Sequence, residues 1–178
     1  MAHVEASTSP QATERRSPIR VKKLGHVVIQ ARDIERSMRF YTEVMNFRVS
    51  DRGRNGAVFL TAVGDHHTVA LFPSDGENAQ TPAEGGVRLN HFALEVGSLE
   101  ELFEIRSFLR ERGIPIVWEG RRALGCQTSI EFLDPDGFHI ELYHDIDQIG
   151  PDGRSRPRYP IPCESLEAAR DNPKPRTW

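Results

Sequence analysis

LGHVVIQARDIERSMRFYTEVMNFRV, residues 24–49, and LNHFALEVGSLEELFEIRSFLRERGIPI, residues 89–116, follow one plan and decide the fold of this 178-residue chain. Each stretch begins with Leu-x-His and continues through a short alternation of apolar residues, the pattern of a half-buried strand. An N-capping residue follows, Asp33 in the first stretch and Ser98 in the second, and then apolar residues at helical spacing. The sequence therefore predicts two copies of a strand followed by an amphipathic helix.

Three strand-like runs follow each predicted helix, separated by turn residues. They cover 47–50, 57–63 and 67–72 in the first copy and 114–118, 128–133 and 138–143 in the second. The chain is thus predicted to be an α+β protein of two tandem βαβββ modules, about 22–85 and 86–148. Since neither module has enough apolar surface to fold well alone, we expect them to form a cup-shaped, partly open mixed sheet with the helices outside.

Composition limits the function classes. A polar, disordered N-terminal tail is predicted over 1–21 and a Pro/Arg-rich C-terminal tail over 149–178. The net charge of −3 argues against nucleic acid as a partner, and no apolar run is long enough to span a membrane. The first 20 residues lack the apolar segment of a secretory signal, so a cytoplasmic location is expected. Cys126 and Cys163 lie too far apart in sequence to form a CxxC pair, and no disulfide framework is predicted.

Strand alternation predicts which side chains face the inside of the cup. Val27 and Ile29 point to the helix, which leaves His26 inward, and the same parity turns His91 and Glu141 inward in the second module. Two histidines and one carboxylate form a metal site with open coordination positions, suited to Fe(II) and also to Mn(II). The alternative is that both histidines are ordinary strand residues and the glutamate belongs to a solvated face. The equivalent positions of the two histidines in a repeat favour the metal site.

The segments LGHVVIQARDIERSMRFY, LNHFALEV and FLDPDGFHIELY resemble the vicinal oxygen chelate superfamily over residues 22–148. Within it, DHHTVALF is similar to the HHTxA strand of one-domain extradiol dioxygenases. The resemblance implies that His26, His91 and Glu141 are the metal ligands and that His67 is a catalytic histidine that moves protons, with His66 facing away. The alternative for His67 is a surface histidine at the start of a strand.

Two positions depart from the extradiol pattern. Glu131 stands where these enzymes usually place a tyrosine, and Arg122 where they place a histidine. Arg122 can donate hydrogen bonds to an anionic oxygen or a substrate carboxylate but cannot accept a proton. Glu131 would put a second carboxylate near the metal, where it could act as a base. Four apolar residues are expected to form the wall for an aromatic substrate: Val28, Val69, Leu71 and Ala93.

The sequence and the resemblance together predict an Fe(II)-dependent, or alternatively Mn(II)-dependent, extradiol dioxygenase. Its expected substrates are O2 and a catechol-type or biphenyl-diol-type aromatic, and a homodimer or higher homo-oligomer is favoured, with the cup built within one chain or across two. The alternatives are a glyoxalase-like lyase or isomerase, a fosfomycin-type thiol transferase, or a non-catalytic small-molecule binding protein.

Overall fold

The computed structural model describes residues 19, 21–74, 89–154 and 162–174. The predicted N-terminal tail lies almost entirely outside these residues, as does the end of the first module. Within the described ranges the chain forms eight strands and three helices: β1 Val27–Ala31, α1 Ile34–Glu43, β2 Arg48–Arg52, β3 Val58–Thr61, β4 Val69–Pro73, β5 His91–Glu95, α2 Leu99–Glu111, β6 Ile116–Arg121, β7 Thr128–Leu133, β8 His139–His144 and α3 Leu166–Asp171.

The strands form two open four-stranded sheets, one from each module, in the orders β1-β4-β3-β2 and β5-β8-β7-β6. In both sheets the first and last strands of the module pair in parallel, and the remaining pairs are antiparallel. The predicted α+β class, the two βαβββ modules and the open mixed arrangement are therefore confirmed. The structure also shows that the eight strands belong to two separate sheets.

Both long helices begin at the predicted capping residues. The Asp33 carboxylate accepts a hydrogen bond from the Arg36 backbone N–H at 2.9 Å, and the Ser98 hydroxyl accepts one from Glu101 at 3.1 Å. Each cap satisfies a backbone donor that the first turn of a helix leaves without a partner. No helix in the described part of the chain is long and apolar enough to cross a membrane.

The core of the first module lies between its sheet and α1. In the parallel register of β1 and β4, Val69 pairs with Val27 and Leu71 pairs with Ile29, so all four side chains share the helix-facing side. Val69 and Leu71 are completely buried in this core. The prediction that Val69 and Leu71 form part of the pocket wall is therefore wrong, because both face the helix. The other face of β4 carries Ala70 and the residues that alternate with Val69 and Leu71.

The turn between β7 and β8 fastens the second module to α1 of the first. The Tyr41 hydroxyl donates to Asp134 at 3.1 Å in a buried contact, while Ser37 and Arg36 donate to Asp136 at 2.9 and 2.6 Å. Burial is the main cause of a raised pKa at both Asp134 and Tyr41. These contacts hold the two modules of one chain together through the outer helix rather than through their open sheet faces.

The described C-terminal residues pack against the outer side of the second module. Cys163 and Arg121 exchange two backbone hydrogen bonds, of 2.8 and 3.1 Å, and Leu166 on α3 is completely buried. Gly120 has a φ of +146°, and a Cβ at this position would overlap the Cys163 carbonyl oxygen. This segment therefore adds a short bridge to the exposed edge of β6 and supports the strand that leads to Arg122.

Candidate metal centre

His91 and Glu141 come together on the open face of the second sheet. They lie on the parallel neighbours β5 and β8, and His91 Nε2 is 3.2 Å from Glu141 Oε2. His91 Nδ1 lies 2.7 Å from the Asn90 side-chain oxygen, so Nδ1 carries the ring proton in this arrangement. The Nε2 lone pair then faces a carboxylate that is only 3% exposed. Two acceptors this close repel each other unless a cation or a second ring proton lies between them, and a divalent metal fits that position.

A pocket of about 470 Å³ opens above this pair. At its base Gln127 Nε2 is 3.5 Å from the second oxygen of Glu141. The Gln127 side-chain oxygen is buried, with no hydrogen-bond partner in the described part of the chain. The lining residues come from β5 and the residue before it, from β7 and β8, and from the loop after β6: Asn90, His91, Arg122, Ala123, Leu124, Gln127, Glu131 and Glu141.

Arg122 and Glu131 form an ion pair beside Glu141. Glu131 is the direct cross-strand partner of Glu141 and is buried, and its carboxylate accepts a hydrogen bond from Arg122. The Arg122 guanidinium lies 3.6 Å above the centre of the Trp118 ring. The structure thus places two buried carboxylates next to each other. Glu141 faces the imidazole of His91, and Glu131 faces the guanidinium of Arg122.

His26 and His67 form a second group, on the first sheet. Their ring centroids are 4.3 Å apart, and His67 also packs edge-on against Phe59 at 5.1 Å. His66 does not turn away from this group, because its Nδ1 lies 3.0 Å from Nδ1 of His67. Desolvation, followed by the positive charges of His26 and His66, lowers the pKa of His67 below its usual value.

The two groups remain apart within one chain. His26 and His67 lie just before β1 and β4 of the first sheet. His91, Glu131 and Glu141 lie on β5, β7 and β8 of the second sheet, and Arg122 directly follows β6. Across the described ranges no three histidine, cysteine or acidic side chains lie close enough to hold a metal ion. Val28 and Ala93, from the predicted pocket wall, are both exposed on the open faces. One chain therefore presents two separate groups of candidate site residues.

Sequence reasoning missed four lining residues of the pocket, namely Asn90, Ala123, Leu124 and Gln127, and also Trp118, which stacks on Arg122. Trp118 could have been found from strand alternation with Arg122, but a register shift between Ile116 and Trp118 obscures the parity of β6. Asn90 directly precedes His91, a candidate ligand. Because a ligating histidine needs a hydrogen-bond partner that orients its ring, Asn90 could have been identified from its position. Gln127 lies in a loop whose path the sequence pattern does not specify.

The family model of the Glyoxalase/Bleomycin resistance protein/Dioxygenase superfamily matches residues 23–142, which include both groups of candidate site residues. The chain belongs to this superfamily. One solved structure, that of the fosfomycin resistance protein FosX from Listeria monocytogenes, aligns with 70% of this chain, and the alignment covers 92% of the FosX chain. It has a TM-score of 0.56 and 21% sequence identity, which shows the shared fold.

Curated relatives in the superfamily have more than one activity. The chain is 28% identical over 138 residues to a manganese-dependent 2,3-dihydroxybiphenyl 1,2-dioxygenase of Geobacillus genomosp. 3, covering 75% of this chain and 40% of that protein. It is 35% identical over 128 residues to biphenyl-2,3-diol 1,2-dioxygenase 3 of Rhodococcus globerulus, covering 69% and 63%. It is also 30% identical over 123 residues to the glutathione transferase FosA of Serratia marcescens, covering 69% and 81%. The chain thus spans less than two thirds of both dioxygenases.

Proposed function

We propose that the protein is a metal-dependent extradiol dioxygenase that opens a catechol-type or biphenyl-diol-type aromatic ring with O2. The observation that carries the proposal is the buried Glu141 carboxylate facing His91 Nε2 at 3.2 Å in an open pocket. The similarity to two dioxygenases that act on biphenyl diols supports this reaction over others in the superfamily. The pairing of His67 with His26 supports it further, because the reaction needs a proton carrier beside the metal.

His26, His91 and Glu141 would hold one Fe(II), or alternatively Mn(II). With three protein ligands the metal would supply open coordination positions for both diol oxygens and O2, together with the redox chemistry. Asn90 orients His91 through its Nδ1, and Gln127 orients Glu141 through its second oxygen. Both contacts fix ligand atoms before a metal arrives, which lowers the entropic cost of binding it.

A homodimer completes the site in this proposal. Within one chain the contacts between α1 and the β7–β8 turn leave both open sheet faces uncovered, and Val28 keeps 51% of its surface exposed. Placing the first sheet of one chain against the second sheet of another covers both faces. It also brings the partner subunit's His26 to His91 and Glu141. A two-fold axis then gives two equivalent sites per dimer.

The remaining side chains have separate tasks in the proposed reaction. His67 accepts a proton from the diol and returns it as the ring opens. Arg122 donates hydrogen bonds to substrate oxygen, while Glu131 fixes Arg122 and provides a second base near the metal. Val28 and Ala93 exclude water from the reacting face and pack against the aromatic ring.

Ring cleavage provides the test. Protein loaded anaerobically with Fe(II) is mixed with 2,3-dihydroxybiphenyl or catechol and O2, and the yellow product and O2 uptake are followed. His67→Ala is expected to lower kcat by roughly 10²- to 10⁴-fold. His144→Ala, at a histidine that does not line the pocket, serves as the matched control and should stay within about twofold of the unmodified protein, a difference of less than 1 kcal/mol. Absence of product from a broad diol panel with metal-loaded protein would refute the proposal.

A thiol transferase is the second candidate, because the chain covers 81% of FosA at 30% identity. Incubation of the metal-loaded protein with fosfomycin and glutathione would reveal an adduct in that case. A glyoxalase-like enzyme would instead isomerise the hemithioacetal of methylglyoxal and glutathione. A binding protein would retain a small ligand without turnover and without a metal requirement.

A further inference from the structure

Arg122 directly follows β6 and lies on the open face of the second sheet, because the alternation of the strand continues to this residue. Glu119 turns to the helix side, where it accepts a hydrogen bond from Arg106 at 3.1 Å. Arg121 also turns away from the pocket and donates to the Cys163 sulfur at 3.0 Å. Trp118 and Arg122 are therefore left on the face that carries His91 and Glu141. Their stacking at 3.6 Å fixes the plane of the guanidinium in the pocket.

The guanidinium keeps donors available on its outer edge. Arginine has five N–H donors in a planar fork, and the buried Glu131 carboxylate accepts from one nitrogen, Nη2, on the inner side. Trp118 covers one face of the guanidinium plane. The edge of the guanidinium, which carries the N–H groups, is therefore the part directed outward. The Arg122 side chain is 42% exposed, whereas that of Glu131 is 10% exposed. Glu131 thus holds Arg122 from behind while the arginine presents its remaining N–H groups to the pocket.

Charge and shape at this place favour an aromatic acid. Arg122 and Glu131 neutralise each other, and a divalent cation held by His91 and Glu141 would leave the pocket with a net positive charge. Leu124, which is 66% exposed, provides an apolar rim. Two strand spacings, roughly 10 Å, separate the backbones of β8 and β6, so an aromatic ring can bridge the ligand pair and the arginine side chain.

We propose that Arg122 binds a carboxylate substituent of the aromatic substrate, so that the protein prefers a carboxylated diol to a neutral one. The assignment of the diol rests on the proposed function, whereas the carboxylate contact rests on Arg122, Trp118 and Glu131. A guanidinium held in plane by stacking and by a buried carboxylate is suited to paired hydrogen bonds with a second carboxylate. Arg122 is then a specificity-determining residue, and Trp118 and Glu131 are positioning residues.

Two ligand pairs test the contact by isothermal titration calorimetry without O2. The first is 3,4-dihydroxybenzoate against 3,4-dihydroxybenzamide with the Mn(II)-loaded protein, a pair in which the carboxylate is remote from the diol. The second is benzoate against benzamide with the Mn(II)-loaded protein, a pair that carries no diol; a preference caused by direct attraction of the acid to the metal would survive in Arg122→Met. The acid of each pair should bind about tenfold more tightly than the amide. Arg122→Met should bind acid and amide equally, while Arg39→Met, a matched change on exposed α1, should keep the preference.

The outcomes separate this inference from the proposed reaction. A preference for benzoate that disappears in Arg122→Met supports the carboxylate contact even where no diol is cleaved. Equal binding of acid and amide by the unmodified protein would overturn the inference, as would a preference that survives in Arg122→Met. Absence of binding by all four ligands would also overturn it.

Discussion

Mixing two inactive variants tests whether the metal site is shared between subunits. His26→Ala removes the ligand on the first sheet, and Glu141→Ala removes one on the second, so each homodimer lacks a complete site. Random exchange of subunits in an equal mixture makes half of the dimers heterodimers, and one of the two sites in each heterodimer then has all three ligands. The mixture should therefore recover about one quarter of the metal-binding capacity and activity of the unmodified protein.

The assay follows tightly bound Mn(II) per chain and ring-cleavage rate after the variants have been unfolded together and refolded. A mixture of His91→Ala with Glu141→Ala is the matched control, because these two ligands come from the same chain in every site and no combination restores both. Heterodimer formation is verified with differently tagged chains. Heterodimers that recover neither metal nor activity would refute a site shared between subunits.

Three further predictions concern stability. Burial raises the pKa of Asp134, so its contribution to stability is present at low pH and is lost as the pH rises through the folded-state value. Asp134→Asn should therefore gain stability relative to the unmodified protein as the pH rises above about 4, the pKa of an unfolded aspartate, in urea titrations. Asp134→Ala should lower the free energy of unfolding at pH 7 by about 2–4 kcal/mol, because the Tyr41 hydroxyl and two backbone N–H groups lose their acceptor. A decrease of less than about 1 kcal/mol would contradict these contacts. Leu166→Ala should lower the free energy of unfolding by about 2–5 kcal/mol in the same titrations, because Leu166 is completely buried. Leu124→Ala, a change at an exposed leucine, should lower it by less than about 0.5 kcal/mol. Equal effects of the two changes would contradict the packing of the C-terminal segment.

Local sequence signals predicted the modules well. Capping residues and apolar spacing located both long helices. The parity of β5 and β8 placed His91 and Glu141 on one face, because each strand alternates cleanly between apolar and polar residues. The structure brings these two side chains within 3.2 Å.

Other features depend on contacts that a local pattern does not encode. The run of residues 69–72 is apolar at every position, so its alternation carries no information and Val69 and Leu71 were assigned to the wrong face. The placement of His26 relative to His91 depends on how two sheets from different modules face each other. That arrangement is determined by distant contacts, such as Tyr41 with Asp134, and by the assembly of chains.

Anaerobic Mn(II) titration, followed by electron paramagnetic resonance and equilibrium dialysis, tests the metal centre most directly. The unmodified protein is expected to bind one metal ion per chain, and His91→Ala and Glu141→Gln should each weaken binding by at least about tenfold, whereas His144→Ala should retain it. Glu141→Gln preserves side-chain volume, so circular dichroism can show that its fold is intact. Stoichiometric binding of unchanged affinity in folded His91→Ala and Glu141→Gln proteins would contradict the proposed site.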